Sequence, residues 1–280
     1  MKTLKMMMGV AAASMLMVAG STKLEAQKVL VLYYSQTSNT KAVAECIAEH
    51  INADIEEIVS MNPYSGDFKA TIDRCMKERE LGVVPEIKPV KADIAKYDVI
   101  FLGYPIWFGT YAPPIASWLD KVDLSGKKIV PFCTFGSGGL ESSVMSLEQK
   151  QPKAEILEGY GVRAARMDAM PDEVRQFLID NGFLKGEAVK LEPFSASHLV
   201  SKEEEAIFIA AIGDYPMMQN AKARTVASRA IPNGTEYLFT ATEQRKGTPD
   251  KDLQLRPPME MKIYVIVVNN QAPVFTKVVR

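Results

Sequence analysis

Three short stretches combine residue types that could hold a ligand and do chemistry on it. The run Tyr34-Ser35-Gln36-Thr37-Ser38-Asn39-Thr40 gathers four Ser and Thr hydroxyls and side-chain amide groups into one turn ahead of a helical pattern. The first backbone N–H groups of a helix lack intrahelical partners and carry partial positive charge, so such a turn can surround a phosphate without a basic residue. Ser, Thr and Asn are also favoured there as plain N-caps, and both readings stand. The stretch 103–114 holds Gly103, Tyr104, Pro105, Ile106, Trp107, Phe108 and Gly109 where polar turn chemistry is usual. Its aromatic side chains need a cover: a stacked planar ring is one, and packing under the intervening segment 65–81 is another. The third stretch, Thr134-Phe135-Gly136-Ser137-Gly138-Gly139, is rich in glycine and lets backbone N–H groups approach a ligand closely.

Little else in the chain offers chemistry. His50 and His198 are the two histidines and Cys46, Cys75 and Cys133 the three cysteines, with no spacing that suits a metal or a disulfide framework. Both histidines fall outside the three stretches and read as surface or packing residues, and no nucleophile is paired with a base. Cys133 sits next to the third stretch, which admits a redox thiol, although a position between Phe132 and Thr134 in a strand suits the core. A formal charge of -1 over 280 residues provides no electrostatic footprint for nucleic acid or an anionic membrane.

The elements around these stretches follow a βα alternation from residue 28 to about 186, which predicts a doubly wound α/β sheet. Apolar runs at 29–34, 99–103 and 129–134 read as strands buried on both faces. A second strand over 54–59 reads as an edge, and a fifth over 160–167. Helices are expected over 39–51, 114–122, 141–149 and 172–181, the first with Val43, Ile47 and Ile51 on one side. With five parallel strands in the order 2-1-3-4-5, the three stretches end the first, third and fourth strands and meet at one carboxyl edge.

After residue 186 the pattern changes to one helix, 201–212, opened by the capping-box pair Ser201 and Glu204, and then four strands over 223–229, 235–243, 261–269 and 275–279. Turns are expected at 231–234 and 248–250. This predicts a small α+β unit over 188–280 behind an α/β unit over 27–187. Basic and acidic residues number 18 and 23 in the first and 12 and 10 in the second. Met217 and Met218 suit a hydrophobic core or an adaptable contact surface.

Residues 1–26 read as a signal peptide: Lys2 and Lys5 precede an uncharged run over 6–20, and Ala26 offers a small residue for cleavage before Gln27. The run is shorter than the roughly 20 residues a permanent span requires. The expectation is an exported protein, periplasmic or extracellular, with no permanent membrane span in the mature chain.

Taken together, the three stretches resemble the three FMN-binding loops of flavodoxin-like proteins, over about residues 28–186. The resemblance implies that Ser35, Thr37, Ser38, Asn39 and Thr40 hold the FMN phosphate. It implies that Pro105, Ile106, Trp107 and Phe108 flank one side of the isoalloxazine ring, with Trp107 stacking, and that Thr134, Phe135, Gly136, Ser137 and Gly138 flank the other. Ser38 departs from the pattern, since glycine is common at that position. The second unit is similar to the helix-on-sheet cystatin pattern, but Arg229, Ile231 and Asn233 stand where inhibitory members carry a glutamine-valine-glycine hairpin.

The resemblance implies a flavoprotein that transfers electrons through non-covalently bound FMN, acting as an NAD(P)H or quinone oxidoreductase or as a one-electron carrier; its export is expected from residues 1–26 alone. A redox partner protein or a small-molecule donor and acceptor would be its partner. A carrier usually presents a strongly acidic face, and the first unit is only mildly acidic. A binding or scaffold protein that has kept the fold without the redox role is the alternative.

Overall fold

The computed structural model describes residues 27–213, 215, 218, 220–243, 259–269 and 271–280. The expected signal peptide, Met217 and the turn at 248–250 lie outside them.

The first unit is a parallel sheet wrapped by helices on both faces. Strand β1 (Val29–Tyr33) pairs with β2 (Asp54–Glu57) on one side and β3 (Val99–Trp107) on the other. Strand β5 (Lys128–Phe135) continues beyond β3 and carries the short β6 (Glu155–Ile156) at its start and β7 (Tyr160–Arg163) at its end. The order β2-β1-β3-β5-β6 is the expected five-position sheet, with the last position split in two. All of these pairings are parallel, so each crossover needs a helix or long connection.

Alternating strand residues feed two cores. Val31, Tyr33, Phe101, Val130 and Phe132 face α1 (Asn39–Ile51) and α5 (Met170–Asp180), which contribute Val43, Ile47, Val174 and Leu178. Leu30, Leu32, Ile100, Leu102 and Ile129 face α2 (Phe68–Leu81), α3 (Pro113–Leu119) and α4 (Leu140–Lys150) through Cys75, Trp118 and Leu147. Each large apolar side chain buried this way contributes about 1.5–3 kcal/mol.

Besides the split last position and an added edge strand, His198–Leu199, in the second sheet, three elements differ from expectation. Strand β3 does not stop at Gly103 but runs on to Trp107 and turns back as β4 (Thr110–Tyr111), pairing Trp107 with Thr110. Phe108 and Gly109 make this turn with φ of 51° and 80°, the pair of positive angles of a type I′ two-residue hairpin. Helix α2, within a segment the sequence leaves as an insertion, starts at an Asp67 cap that accepts from the Ala70 N–H and ends on left-handed Gly82. The fifth strand ends at Arg163, and a 3-10 turn (Ala164–Ala169) leads into α5.

The second unit is an antiparallel sheet in the order β12-β11-β10-β9-β8. Its long members are β9 (Ala221–Ile231), β10 (Gly234–Glu243), β11 (Met259–Val268) and β12 (Val274–Val279), with β8 (His198–Leu199) at the far edge. Helix α6 (Lys202–Ile212) carries the expected capping box, Ser201 accepting from the Glu204 N–H and Glu204 reaching back to the Ser201 N–H. Phe208, Ile212, Met218, Phe239, Ile263 and Phe275 form its core. No helix among the described residues is long and apolar enough to cross a membrane.

Candidate functional site

The three sequence stretches converge at the carboxyl edge of the parallel sheet. The Tyr34 N–H donates to the Gly103 carbonyl at 2.9 Å, extending the β1–β3 ladder by one residue before the first stretch leaves it. Ser38 then caps α1 from the left-handed region, φ 67°, with its carbonyl accepting from the Ala42 N–H. No side chain caps α1, and its first turn holds no acidic residue. The N-terminal donors of a 13-residue helix therefore face outward without a side-chain acceptor.

The residues around this terminus sort by environment. Thr37 and Ser38 are exposed, Asn39 is half-buried and Thr40 is buried. Among the described residues, Ser35 Oγ and Thr110 Oγ1 are the buried side-chain polar atoms without a hydrogen-bond partner. A buried hydroxyl left unpaired costs roughly 1–3 kcal/mol, and an incoming acceptor would recover it. Gln36 turns away: its amide donates to the Ser65 carbonyl at 2.5 Å and to Thr71 Oγ1 at 2.8 Å, tying the stretch to α2.

Thr40 does not stand as an open ligand. Its Oγ1 lies 2.8 Å from Thr134 Oγ1 in a buried contact that joins the first stretch to the third. One hydroxyl donates to the other, which leaves the second proton of the pair available to an acceptor.

The second stretch is a hairpin rather than a loop. Trp107 is half-buried, and its ring meets Tyr64 and Tyr34 edge-on, with centroids 4.9 and 5.9 Å away. This is the packing against the intervening segment that the sequence also allowed. Tyr64 is itself held, its hydroxyl donating to Glu78 at 2.5 Å and the Arg74 guanidinium lying 3.8 Å from its ring centre. Phe108, at the hairpin tip, remains 50% exposed, with the Arg79 guanidinium 5.4 Å from its ring. Pro105 and Ile106 are half-buried between them and the third stretch.

In the third stretch, Thr134 and Phe135 belong to buried strand β5, and the Phe135 ring packs in the core. Gly136 is exposed, and Ser137 and Gly138 are half-buried. Gly139 opens α4 with φ 115°; a Cβ there would lie 2.6 Å from Ile106 Cγ2, so the hairpin and this loop touch. Ser142 Oγ donates to the Gly109 carbonyl at 2.5 Å and binds the hairpin tip to α4. Thr110, paired with Trp107 and holding a buried, unpartnered hydroxyl, is a further polar residue of the hairpin that the sequence expectation did not assign to the site; its place directly after Phe108-Gly109 was the available signal.

Cys133 is fully buried, and burial pushes its thiol well above the usual range, which suits a core residue and not a redox thiol. His50 Nδ1 lies 2.7 Å from the Cys46 carbonyl on α1, and His198 Nε2 lies 3.0 Å from Glu204 in the second unit, both away from the three stretches. Among the described residues no group of His, Cys, Asp and Glu could hold a metal ion.

The family model described as Flavodoxin matches residues 28–175. A curated relative, an NAD(P)H dehydrogenase (quinone) of Cupriavidus metallidurans, is 29% identical over 136 residues, covering 43% of this chain. The chain spans 63% of that relative's length. A Bacteroides eggerthii protein of known structure is 29% identical, with TM-score 0.49, over 55% of this chain and 96% of that one. A flavoprotein solved in complex with FMN from Lactobacillus acidophilus is 26% identical, with TM-score 0.45, over 53% and 98%. Through residues 28–175, which make up the greater part of its parallel-sheet unit, the chain belongs to the flavodoxin family.

Proposed function

We propose that this protein binds FMN non-covalently at the carboxyl edge of its parallel sheet and transfers electrons through it. The observation that carries the reading is the buried, unpaired Ser35 hydroxyl beside the uncapped N-terminus of α1, a set of donors suited to a phosphate. Ser35, Thr37, Ser38 and Asn39 would hold the phosphate, with the Thr40–Thr134 pair supplying one further hydrogen-bond donor. The ring would lie between the Pro105, Ile106, Trp107 and Phe108 hairpin and the Gly136, Ser137 and Gly138 backbone. Bound FMN supplies reversible one- and two-electron chemistry. The chain's own residues orient the flavin, exclude water from it and donate hydrogen bonds to it.

A nicotinamide or a quinone as exchange partner is supported by the activity named for the Cupriavidus relative and by the mildly acidic first unit, which suits a protein carrier poorly. Export is supported by the residue pattern over 1–26, with FMN captured after transit. A docking role for the second unit is favoured over protease inhibition, since the β9–β10 hairpin turns at Pro232 and Asn233 without the inhibitory residues.

Ser35→Ala and Thr37→Ala test the assignment in parallel titrations with FMN and riboflavin. Both variants should weaken FMN and leave riboflavin unchanged; equal affinities for FMN in the variants and the unaltered protein would reject the phosphate site.

A further inference from the structure

The antiparallel sheet is docked on the third stretch. Arg163, the last residue of β7, is 7% exposed, and its Nε donates to the Gly136 carbonyl at 2.9 Å. Its Nη1 donates to the Phe275 carbonyl of β12 at 3.0 Å, and the guanidinium carbon lies 3.3 Å from the centre of the Phe275 ring. One residue along the loop, the Ser137 carbonyl accepts from the Val278 N–H at 2.7 Å. At Gly138 a Cβ would stand 2.1 Å from the Val278 carbonyl oxygen, so the two backbones are in contact. Lys277 reaches Glu141, in the first turn of α4, at 2.6 Å.

Strand β12 is the edge of its sheet, and an edge strand presents unpaired backbone groups that must be paired or covered. Here the outward Val278 N–H is spent on the loop that the proposed function assigns to the flavin ring. That loop contains Gly136, Gly138 and Gly139, the residues with the most conformational freedom to lose when a ligand orders them. A guanidinium fixed between two carbonyls holds its donors in a rigid fork, so it sets the relative position of both chains. Ordering the loop in advance removes part of the entropic cost of binding.

We propose that the antiparallel sheet is a constituent of the flavin site: Arg163 is a positioning residue that, with β12, holds the Gly136–Ser137–Gly138 backbone in the shape that receives the ring. This rests on the FMN reading. Flavin binding and β12 docking are then coupled, and by linkage each strengthens the other.

The test uses the whole chain with Arg163→Gln, Arg163→Lys and, from the opposite side of the contact, Val278→Pro, which removes the outward N–H of an edge strand. FMN and riboflavin affinities are measured by flavin fluorescence and the midpoint potential of the bound flavin by dye equilibration, with circular dichroism confirming the fold. Arg163→Gln and Val278→Pro should each weaken FMN and riboflavin by the same factor, about tenfold, and move the potential, with Arg163→Lys between them and the unaltered protein. Unchanged affinity and potential in folded variants would overturn the inference and leave the contact purely structural. Tighter binding would overturn it in the other direction, making β12 a competitor of the ring. If the unaltered protein binds neither flavin, the FMN reading itself fails, a result separate from either of these.

Discussion

Thr40 Oγ1 and Thr134 Oγ1 lie 2.8 Å apart in a buried contact that links the first turn of α1 to the end of β5, two segments 94 residues apart in sequence. Removing one hydroxyl leaves the other buried without this partner, at a cost of about 1–3 kcal/mol, whereas removing both costs less than the sum. Thr40→Val and Thr134→Val should therefore each lower the urea midpoint, and the double variant should show a favourable coupling. Strict additivity would mean that the two hydroxyls do not depend on one another.

Ser38 holds φ 67° at the cap of α1, a region that costs a non-glycine residue roughly 1–2 kcal/mol. Ser38→Gly should raise stability by up to about 1 kcal/mol, the gain being trimmed by the greater freedom of glycine in the unfolded chain. If the Ser38 hydroxyl also serves the phosphate, the same variant will bind FMN more weakly while melting at a higher temperature. A lower melting temperature would show that the cap is unstrained.

Gly103 stands in the centre of the sheet between Tyr33 on β1 and Phe132 on β5. A Cβ at this position would lie 2.1 Å from Phe132 Cζ, overlapping the tip of the ring. Gly103→Ala should destabilise by about 1–3 kcal/mol, the usual cost of overpacking. Phe132→Leu in the same chain should return part of that loss in thermal melts, and an additive loss would place the strain elsewhere.

Burial pushes the Cys75 thiol up to about 11, and burial with nearby Glu57 pushes the Tyr33 phenol up to about 12. Both folded values exceed the unfolded ones, about 8.5 and 10, so the folded state keeps protons that the unfolded state releases. Stability is then full below about pH 8.5 and falls as pH climbs from the unfolded value toward the folded value of each group. Melting temperature measured from neutral to alkaline pH should be flat and then decline, with Cys75→Ala softening the first part of the decline. A rise above about pH 9 would contradict these environments.

Much of this architecture is legible in the residues. The apolar run before Ser35 ends β1, and the spacing of Val43, Ile47 and Ile51 sets α1 at its observed limits. The continuation of β3 was hidden by Pro105, which normally argues against a strand interior. It is tolerated because Pro105 pairs with Thr134 at the end of the β3–β5 ladder, beyond the point where β1 has left the sheet. Helix α2 escaped notice because it buries only Thr71 and Cys75, so its apolar period is faint; Asp67 and Gly82 were its clearer marks. The aromatic stretch left ring stacking and packing both open, and Trp107 resolves into edge contacts with Tyr34 and Tyr64 that local sequence does not encode. The least legible feature is the contact of Ser137 with Val278, which joins two units through backbone atoms and leaves no side-chain signature. Arg163, a charge at the end of an otherwise uncharged strand, was the one visible hint.

The most direct measurement is a visible absorption spectrum of the purified protein followed by titration with FMN under flavin fluorescence. A flavin spectrum carried through purification, or saturable quenching at micromolar FMN, is the expected result. No binding at millimolar FMN would contradict the flavin site and leave the three stretches as structural features of the fold.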